Sequence, residues 1–169
     1  MEKVNNMEEN LNKNEEVNFE NDCTFCKIAK GEISCHKIHE NDDFIAFLDI
    51  FPNTKGMTVV STKKHFNSDV LNMDQEEYNK FLLFARKVSH LLEKKLDVKR
   101  VALVIEGLGV NHAHIKLYPM HGLTNKFKSM QNPQRIFLEK YEGYVTTLMG
   151  EKANDEELKK LASKIRGDL

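Results

Sequence analysis

His112, His114 and Lys116 alternate with apolar residues along one segment of the chain. A period of two indicates a β-strand, so the segment 111–119 is predicted to be one. The three nitrogen side chains would share one face of this strand, which we expect to be exposed, while the apolar residues pack on the other face. Such a face can bind phosphate, and a neutral imidazole can act as a nucleophile. The alternative is an edge strand with a solvated polar face.

Two glycines favour the functional interpretation. Gly107 and Gly109 lie just ahead of the first histidine. Because glycine has no side chain, its backbone N–H can approach a ligand closely. We therefore predict that both glycines contact the phosphate of a bound ligand.

The composition is that of a globular protein with one principal core. The chain has 169 residues, of which 40% are hydrophobic and 30% charged, and its net charge is −1. A balanced charge gives no general attraction to nucleic acid or to an anionic membrane, so neither is predicted as a partner. No apolar run approaches the length of a membrane span, and the acidic N-terminal segment does not resemble a secretory signal. We therefore expect a cytoplasmic protein, in which the three cysteines do not form a disulfide framework.

The apolar periodicities predict a single α+β domain in which an antiparallel sheet of about five strands carries one long helix. The long helix is expected over 74–95, because Asp74, Glu76 and Glu77 form a typical helix start. Strands are expected over 36–40, 44–49, 57–61, 100–106 and 111–119. Further helices are expected over 24–30, 137–149 and 155–165.

Three regions follow from these patterns. Residues 1–22 are rich in Asn, Glu and Lys and are predicted to be a disordered tail, because they contain little apolar surface to bury. Residues 23–122 form the predicted domain, and 123–169 a helical extension. The extension is expected either to cover the sheet or to contribute to a dimer.

The chain resembles the histidine-triad (HIT) family in four ordered blocks between residues 23 and 121. The triad-like run His-x-His-x-Lys ending in Pro119 is one of them. The others are Cys23-Thr24-Phe25-Cys26-Lys27-Ile28, Phe44-Ile45-Ala46-Phe47-Leu48-Asp49-Ile50 and Lys55-Gly56-Met57-Thr58-Val59-Val60 with His65. The resemblance implies a HIT-like fold.

The resemblance also implies an activity. In the family, the middle histidine attacks the α-phosphorus of a nucleotide and forms a covalent nucleotidyl-histidine, and that role falls on His114. His112 and Lys116 are the other predicted catalytic residues. Asp49 would face the ribose hydroxyls and Ile50 the base, although Ile50 could equally be a core residue. The implied function is a nucleotide hydrolase or nucleotidyl transferase acting on a nucleoside phosphoramidate or a dinucleoside polyphosphate. A purine nucleotide or dinucleotide is the implied ligand, and a homodimer the implied assembly.

A structural zinc ion is the implied cofactor. Many family members that begin with Cys-x-x-Cys bind zinc through that pair, the first triad histidine and one further histidine. Here these residues are Cys23, Cys26, His112 and His65, and the cysteine spacing is usual for zinc. The alternative is a pair of buried thiols beside a histidine that orients the site.

Lys116 stands where the family pattern has its third histidine, and this departure bears on catalysis. Its ammonium can hold a phosphate as a point charge, but it is a poor proton donor near neutral pH. Either Lys116 is retuned by its surroundings, or the substrates have leaving groups that need little protonation. The competing hypotheses are a non-catalytic nucleotide-binding or regulatory module, and a zinc-stabilised interaction domain without a nucleotide.

Overall fold

The computed structural model describes residues 22–129 and 152–168. Their strands form one antiparallel sheet in the order β1-β2-β3-β5-β4. The strands are β1 (Lys37–Glu40), β2 (Phe44–Leu48), β3 (Thr58–Thr62), β4 (Val101–Val104) and β5 (His114–Pro119). The α-helices are α1 (Thr24–Lys30), α2 (Gln75–Leu96) and α3 (Asp155–Arg166). The predicted α+β fold is confirmed, whereas the helix expected over 137–149 and the tail 1–21 lie outside the described residues.

The long helix α2 begins where its sequence predicts. The Asp74 carboxylate accepts hydrogen bonds from the backbone N–H groups of Glu76 and Glu77, which would otherwise lack helical partners. Apolar residues recurring at helical spacing then turn one stripe of the helix toward the sheet. The fully buried members of this stripe are Phe81, Ala85, Val88 and Leu92. Helix α2 therefore covers one face of the sheet.

Strand β2 is buried on both faces. Phe44, Ala46 and Leu48 point into the main core beneath α2. Ile45 and Phe47 point the opposite way, and there they meet Phe25 and Ile28 of α1 as a second, smaller cluster. The short helix α1 thus covers the face of the sheet that α2 leaves open.

Helix α3 belongs to the main core. Its buried residues Leu158, Ala162 and Ile165 join the cluster formed by α2 and the sheet. The Asn154 side chain caps its first turn by accepting from Glu156 and Glu157. Of the two roles expected for the extension, the described helix fulfils the first, since it packs against β1, β2 and α2.

None of the helices in the described ranges combines the length and the apolarity needed to cross a membrane.

Candidate functional site

His114 is the first residue of β5, and one of its ring nitrogens is held by the backbone. Nδ1–H donates to the carbonyl oxygen of His112 over 2.7 Å. This bond leaves Nε2 as the nitrogen with a lone pair. Burial lowers the pKa of His114 despite that hydrogen bond, so the ring is neutral near pH 7. The arrangement meets the two requirements of a histidine nucleophile, which are a neutral ring and a fixed tautomer.

Two sequence expectations about this segment are wrong. The strand begins at His114 rather than at residue 111, because a tight turn from the His112 N–H to the Val110 carbonyl precedes it. The polar face is not exposed either, since His112 is 0% and His114 3% exposed. Phe25 of α1 contributes to this burial, since its ring contacts both imidazoles edge-on at centroid distances of 5.8 and 5.3 Å. The nucleophile candidate therefore lies under an aromatic cover.

His112 lies in a cluster with the thiols of Cys23 and Cys26 and the ring of His65, which we call the thiol cluster. Its Nδ1 lies 3.2 Å from the Cys23 sulfur and 3.5 Å from the Cys26 sulfur, and Nδ1 of His65 lies 3.3 Å from Cys26. On the other side of the ring, Nε2–H donates to the Thr62 carbonyl over 2.8 Å. Burial lowers the pKa of His112 to about 4, so its ring is neutral.

The four predicted metal ligands fit a tetrahedral zinc site. Their ligand atoms all lie within 4.8 Å of one another. Zinc bonds of about 2.3 Å to sulfur and about 2.0 Å to nitrogen would separate the two ligand atoms by roughly 3.5 Å, close to the distances above. The hydrogen bond from His112 to Thr62 is the kind of outer contact that orients a ligating imidazole. The residues present therefore suit a closed, structural site.

Lys116 faces a carboxylate that the sequence analysis did not single out. Its Nζ lies 4.0 Å from Oε2 of Glu106, and the two side chains are 19% and 10% exposed. Glu106 follows the end of β4, directly before Gly107. The sequence predicts Glu106 as the last residue of a strand over 100–106, but β4 ends at Val104 and Glu106 lies in the loop. No local pattern indicates that Glu106 lies near Lys116.

The two predicted phosphate-binding glycines have different surroundings. Gly107 has φ +75°, and a Cβ there would lie 2.6 Å from the Ser68 carbonyl oxygen. Gly109 has φ +105° and nothing within 4 Å of such a Cβ. The close approach made by Gly107 is thus to the protein's own backbone, whereas Gly109 faces open space.

Asp49 and Ile50 follow β2 and line a cavity of about 970 Å³. Ile50 is 47% exposed, so the alternative that it is a core residue is wrong. The negative charge of Asp49 raises the pKa of His114, against the larger effect of burial, which means that the carboxylate lies within electrostatic reach of the ring. Apolar walls from α1 and the sheet, including Ile28 and Phe47, line the same cavity.

Helix α3 and the residues before it complete this cavity. Lys152, Asp155 and Lys159 line it, and Asp155 pairs with Nε2 of His36 at 3.1 Å. The backbone N–H of Ala153 donates to the Ile50 carbonyl over 3.1 Å. The C-terminal segment is therefore bonded directly to the loop predicted to bind the nucleoside.

Comparison with known proteins identifies the family. A family model described as the HIT domain matches residues 30–125. The chain belongs to the HIT family. It is 35% identical to an uncharacterized HIT-like protein of Methanocaldococcus jannaschii over 65% of this chain and 90% of that protein.

Two further relatives extend the comparison. The chain is 33% identical to the adenosine 5'-monophosphoramidase of Schizosaccharomyces pombe over 57% of this chain and 73% of that enzyme. The crystal structure of a HIT-like protein from Bartonella henselae, which contains an unknown ligand, has a TM-score of 0.64 and 25% identity, covering 88% of this chain and 97% of that one. The relatives thus include an adenosine 5'-monophosphoramidase, and the chain shares the fold of a HIT-like protein of known structure.

Proposed function

We propose that this HIT protein is a nucleotide hydrolase or nucleotidyl transferase in which His114 is the nucleophile. The observation that carries the proposal is the hydrogen bond from His114 Nδ1–H to the His112 carbonyl. It fixes the tautomer and leaves the Nε2 lone pair for attack on phosphorus. Burial supplies the second requirement, since it lowers the pKa of His114 and so keeps the ring neutral.

The reaction has two displacements. In the first, the Nε2 lone pair forms a bond to the α-phosphorus, and the bond from phosphorus to the leaving group breaks with its electron pair on the leaving group. In the second, water attacks phosphorus in a hydrolase and releases a proton to the solvent, or another phosphate attacks phosphorus in a transferase. The N–P bond then breaks, and its electron pair returns to Nε2. Covalent catalysis thereby replaces one difficult displacement with two easier ones.

The substrate class follows from the groups around His114. Lys116 lies on the same strand as His114. Its ammonium supplies a positive charge for phosphate oxygens. Asp49 can accept hydrogen bonds from two sugar hydroxyls, and Ile50 offers exposed apolar surface to a base. Gly109 is the glycine with open space for a phosphate. We therefore propose a nucleoside phosphoramidate or a dinucleoside polyphosphate with a purine base as the substrate.

Zinc is proposed as the cofactor, held by Cys23, Cys26, His65 and His112. When bound in such a closed site, zinc supplies stability rather than a reactive group. The chain's own contribution is geometric, because the cluster joins α1 to the residue that orients His114. Loss of the cluster would release Phe25 from the imidazole that it covers.

A homodimer is proposed as the assembly. Within the described residues, β4 pairs only with β5, so its other edge is open. Leu103 on this strand is 43% exposed, and an open edge with exposed apolar side chains can pair with a second copy. Light scattering of the wild-type protein and a Leu103→Lys variant tests this, because the variant should shift a dimer toward monomer.

The test of the enzyme is mass spectrometry of full-length protein mixed with an adenosine phosphoramidate. We expect released AMP, and an adenylyl adduct on a peptide containing His114. His114→Ala should abolish both while weakening AMP binding only modestly. His90→Ala is the matched control, because His90 is exposed on α2 and pairs with Glu93. Turnover by His114→Ala at a near wild-type rate would exclude the covalent mechanism.

The alternative is a nucleotide-binding protein without catalysis. It is favoured by Lys116, which occupies the third triad position and lacks the proton-donating ability of imidazole near neutral pH. AMP binding by the wild-type protein without any adduct or turnover would support this alternative. Zinc binding without AMP binding would instead support an interaction domain.

A further inference from the structure

Glu106 introduces a carboxylate beside the proposed catalytic lysine. The side chain is 10% exposed, and its Oε2 lies 4.0 Å from the Lys116 ammonium. A carboxylate this well buried is stable when a positive charge is nearby. The sheet brings the two together, because Val104 at the end of β4 is the register partner of Lys116 on β5.

The backbone around Glu106 is fixed by its neighbours. The next residue, Gly107, packs so closely against the Ser68 carbonyl that no side chain fits between them. From the other direction, the Ser68 N–H donates to the Asn111 side chain over 3.2 Å. Ser68 thus lies against the loop at Gly107 and is hydrogen-bonded to it at Asn111, so Glu106 is held in a constrained position.

The sheet also places this pair beside His114. His114 and Lys116 are two residues apart on β5, so their side chains lie on the same face of the sheet. Glu106 and Lys116 therefore form a pair of opposite charge on the side of the sheet that carries the proposed nucleophile. At 4.0 Å the pair is an ion pair and not a hydrogen bond, so the contact does not occupy an ammonium N–H.

We propose that Glu106 is a positioning residue that acts through Lys116. Lysine has a flexible four-carbon stem and a strongly hydrated charge, so a lysine at this position is less pre-organised than a planar ring. A fixed carboxylate restricts where the ammonium rests and keeps it beside the phosphoryl group that His114 attacks. A charge held in place before reaction stabilises the transition state without reorganisation. This inference rests on the proposed function.

The test is a double-mutant cycle in the full-length protein, with an adenosine phosphoramidate as substrate. Glu106→Gln keeps the shape of the side chain and removes its charge, and Lys116→Met removes the ammonium. We expect Glu106→Gln to lower kcat about tenfold in the wild-type background and to change KM less than threefold. In the Lys116→Met background the same substitution should change kcat less than twofold.

A direct effect of Glu106 on the substrate would look different. A carboxylate acting on the phosphate itself would repel it, so Glu106→Gln would tighten AMP binding equally in both backgrounds. Equal changes in the two backgrounds, or an unchanged kcat in Glu106→Gln, overturn the proposal. Glu106→Asp keeps the charge but withdraws it by one methylene, and its kcat should lie between those of wild type and Glu106→Gln. This variant also decides the matter if Glu106→Gln does not fold, because a wild-type kcat in Glu106→Asp would overturn the proposal.

AMP affinity, measured by calorimetry for the same proteins, separates this inference from the proposed function. Binding of AMP by the wild-type protein without turnover refutes the enzyme alone. The effects of Glu106→Gln on AMP affinity in the two backgrounds then decide: a larger effect in the wild-type background than in the Lys116→Met background supports the role of Glu106, and equal effects overturn it. A wild-type protein that neither binds AMP nor turns over overturns both proposals.

Discussion

Replacing Gly107 with alanine adds only one methyl group, but it should destabilise the protein strongly. The residue has φ +75°, and the new Cβ would lie 2.6 Å from the Ser68 carbonyl oxygen. An L-residue in left-handed conformation costs about 1–2 kcal/mol. Displacing a backbone carbonyl is comparable to overpacking a core, which costs a further ~1–3 kcal/mol. The expected loss in the free energy of unfolding is therefore roughly 2–5 kcal/mol.

Gly122→Ala is the matched control. Gly122 has φ +82°, and a Cβ added there would have nothing within 4 Å, so only the backbone cost of about 1–2 kcal/mol applies. Urea denaturation followed by circular dichroism measures both variants. With a slope of about 2 kcal/mol per molar urea, the midpoint of Gly107→Ala should lie roughly 0.5–1.5 M below that of Gly122→Ala.

Equal midpoints for the two alanine variants would refute the reasoning. They would mean that the loop carrying Gly107 moves away from Ser68 at little cost. The constrained presentation of Glu106 would then lose its structural basis as well.

The remaining predictions concern the site itself. Full-length protein purified without chelator should contain about one equivalent of zinc by metal analysis, and Cys26→Ser should contain much less; under about half an equivalent in the wild type would count against the cluster. Phe25→Leu should keep the fold, as judged by circular dichroism, but slow adduct formation on His114, because the aromatic cover at 5.3 Å is removed; an unchanged rate would show that the cover has no part in catalysis. Lys116→Gln should weaken AMP binding about ten- to hundredfold by calorimetry, the equivalent of a charge-assisted contact of roughly 1.5–3 kcal/mol. Lys116→His should preserve binding and raise the rate on substrates with poor leaving groups, since imidazole can donate a proton near neutral pH; no gain on any such substrate would mean that the lysine is not the limiting defect.

The fold was predictable because its signals are local. The capping carboxylate of Asp74 and the apolar stripe after it specify α2 within one stretch of chain. The strands were found to within a few residues, from alternation and from turn residues. The ends of the strands were predicted less accurately than the strands themselves, because pairing at strand ends depends on residues far away in the sequence. The start of β5 shows this, because the Ala113 N–H is bonded to Phe66 outside the sheet.

The site was only partly predictable, for a related reason. His114 and the predicted metal ligands appear in the sequence as short motifs. Burial of the polar strand face, by contrast, depends on α1 packing against a strand that is distant in sequence, since Cys23 and His112 are 89 residues apart. The Glu106–Lys116 pair depends on the register of β4 against β5, which no local pattern specifies. The roles of the site residues, the boundary of the domain at residue 122 and a cytoplasmic location stay predictions.

The thiol cluster also has a consequence during synthesis of the protein. Cys23 lies 89 residues before His112, and Cys26 lies 39 residues before His65. At a synthesis rate of about 5–20 residues per second, the two thiols wait roughly 4–18 s before His112 is made. During that interval the nascent chain carries the thiols of Cys23 and Cys26 before His112, one of their two histidine partners, has been synthesised. The growing chain is thus exposed to oxidation at a point that the finished protein buries, and redox conditions during translation should influence its yield more than its later lifetime.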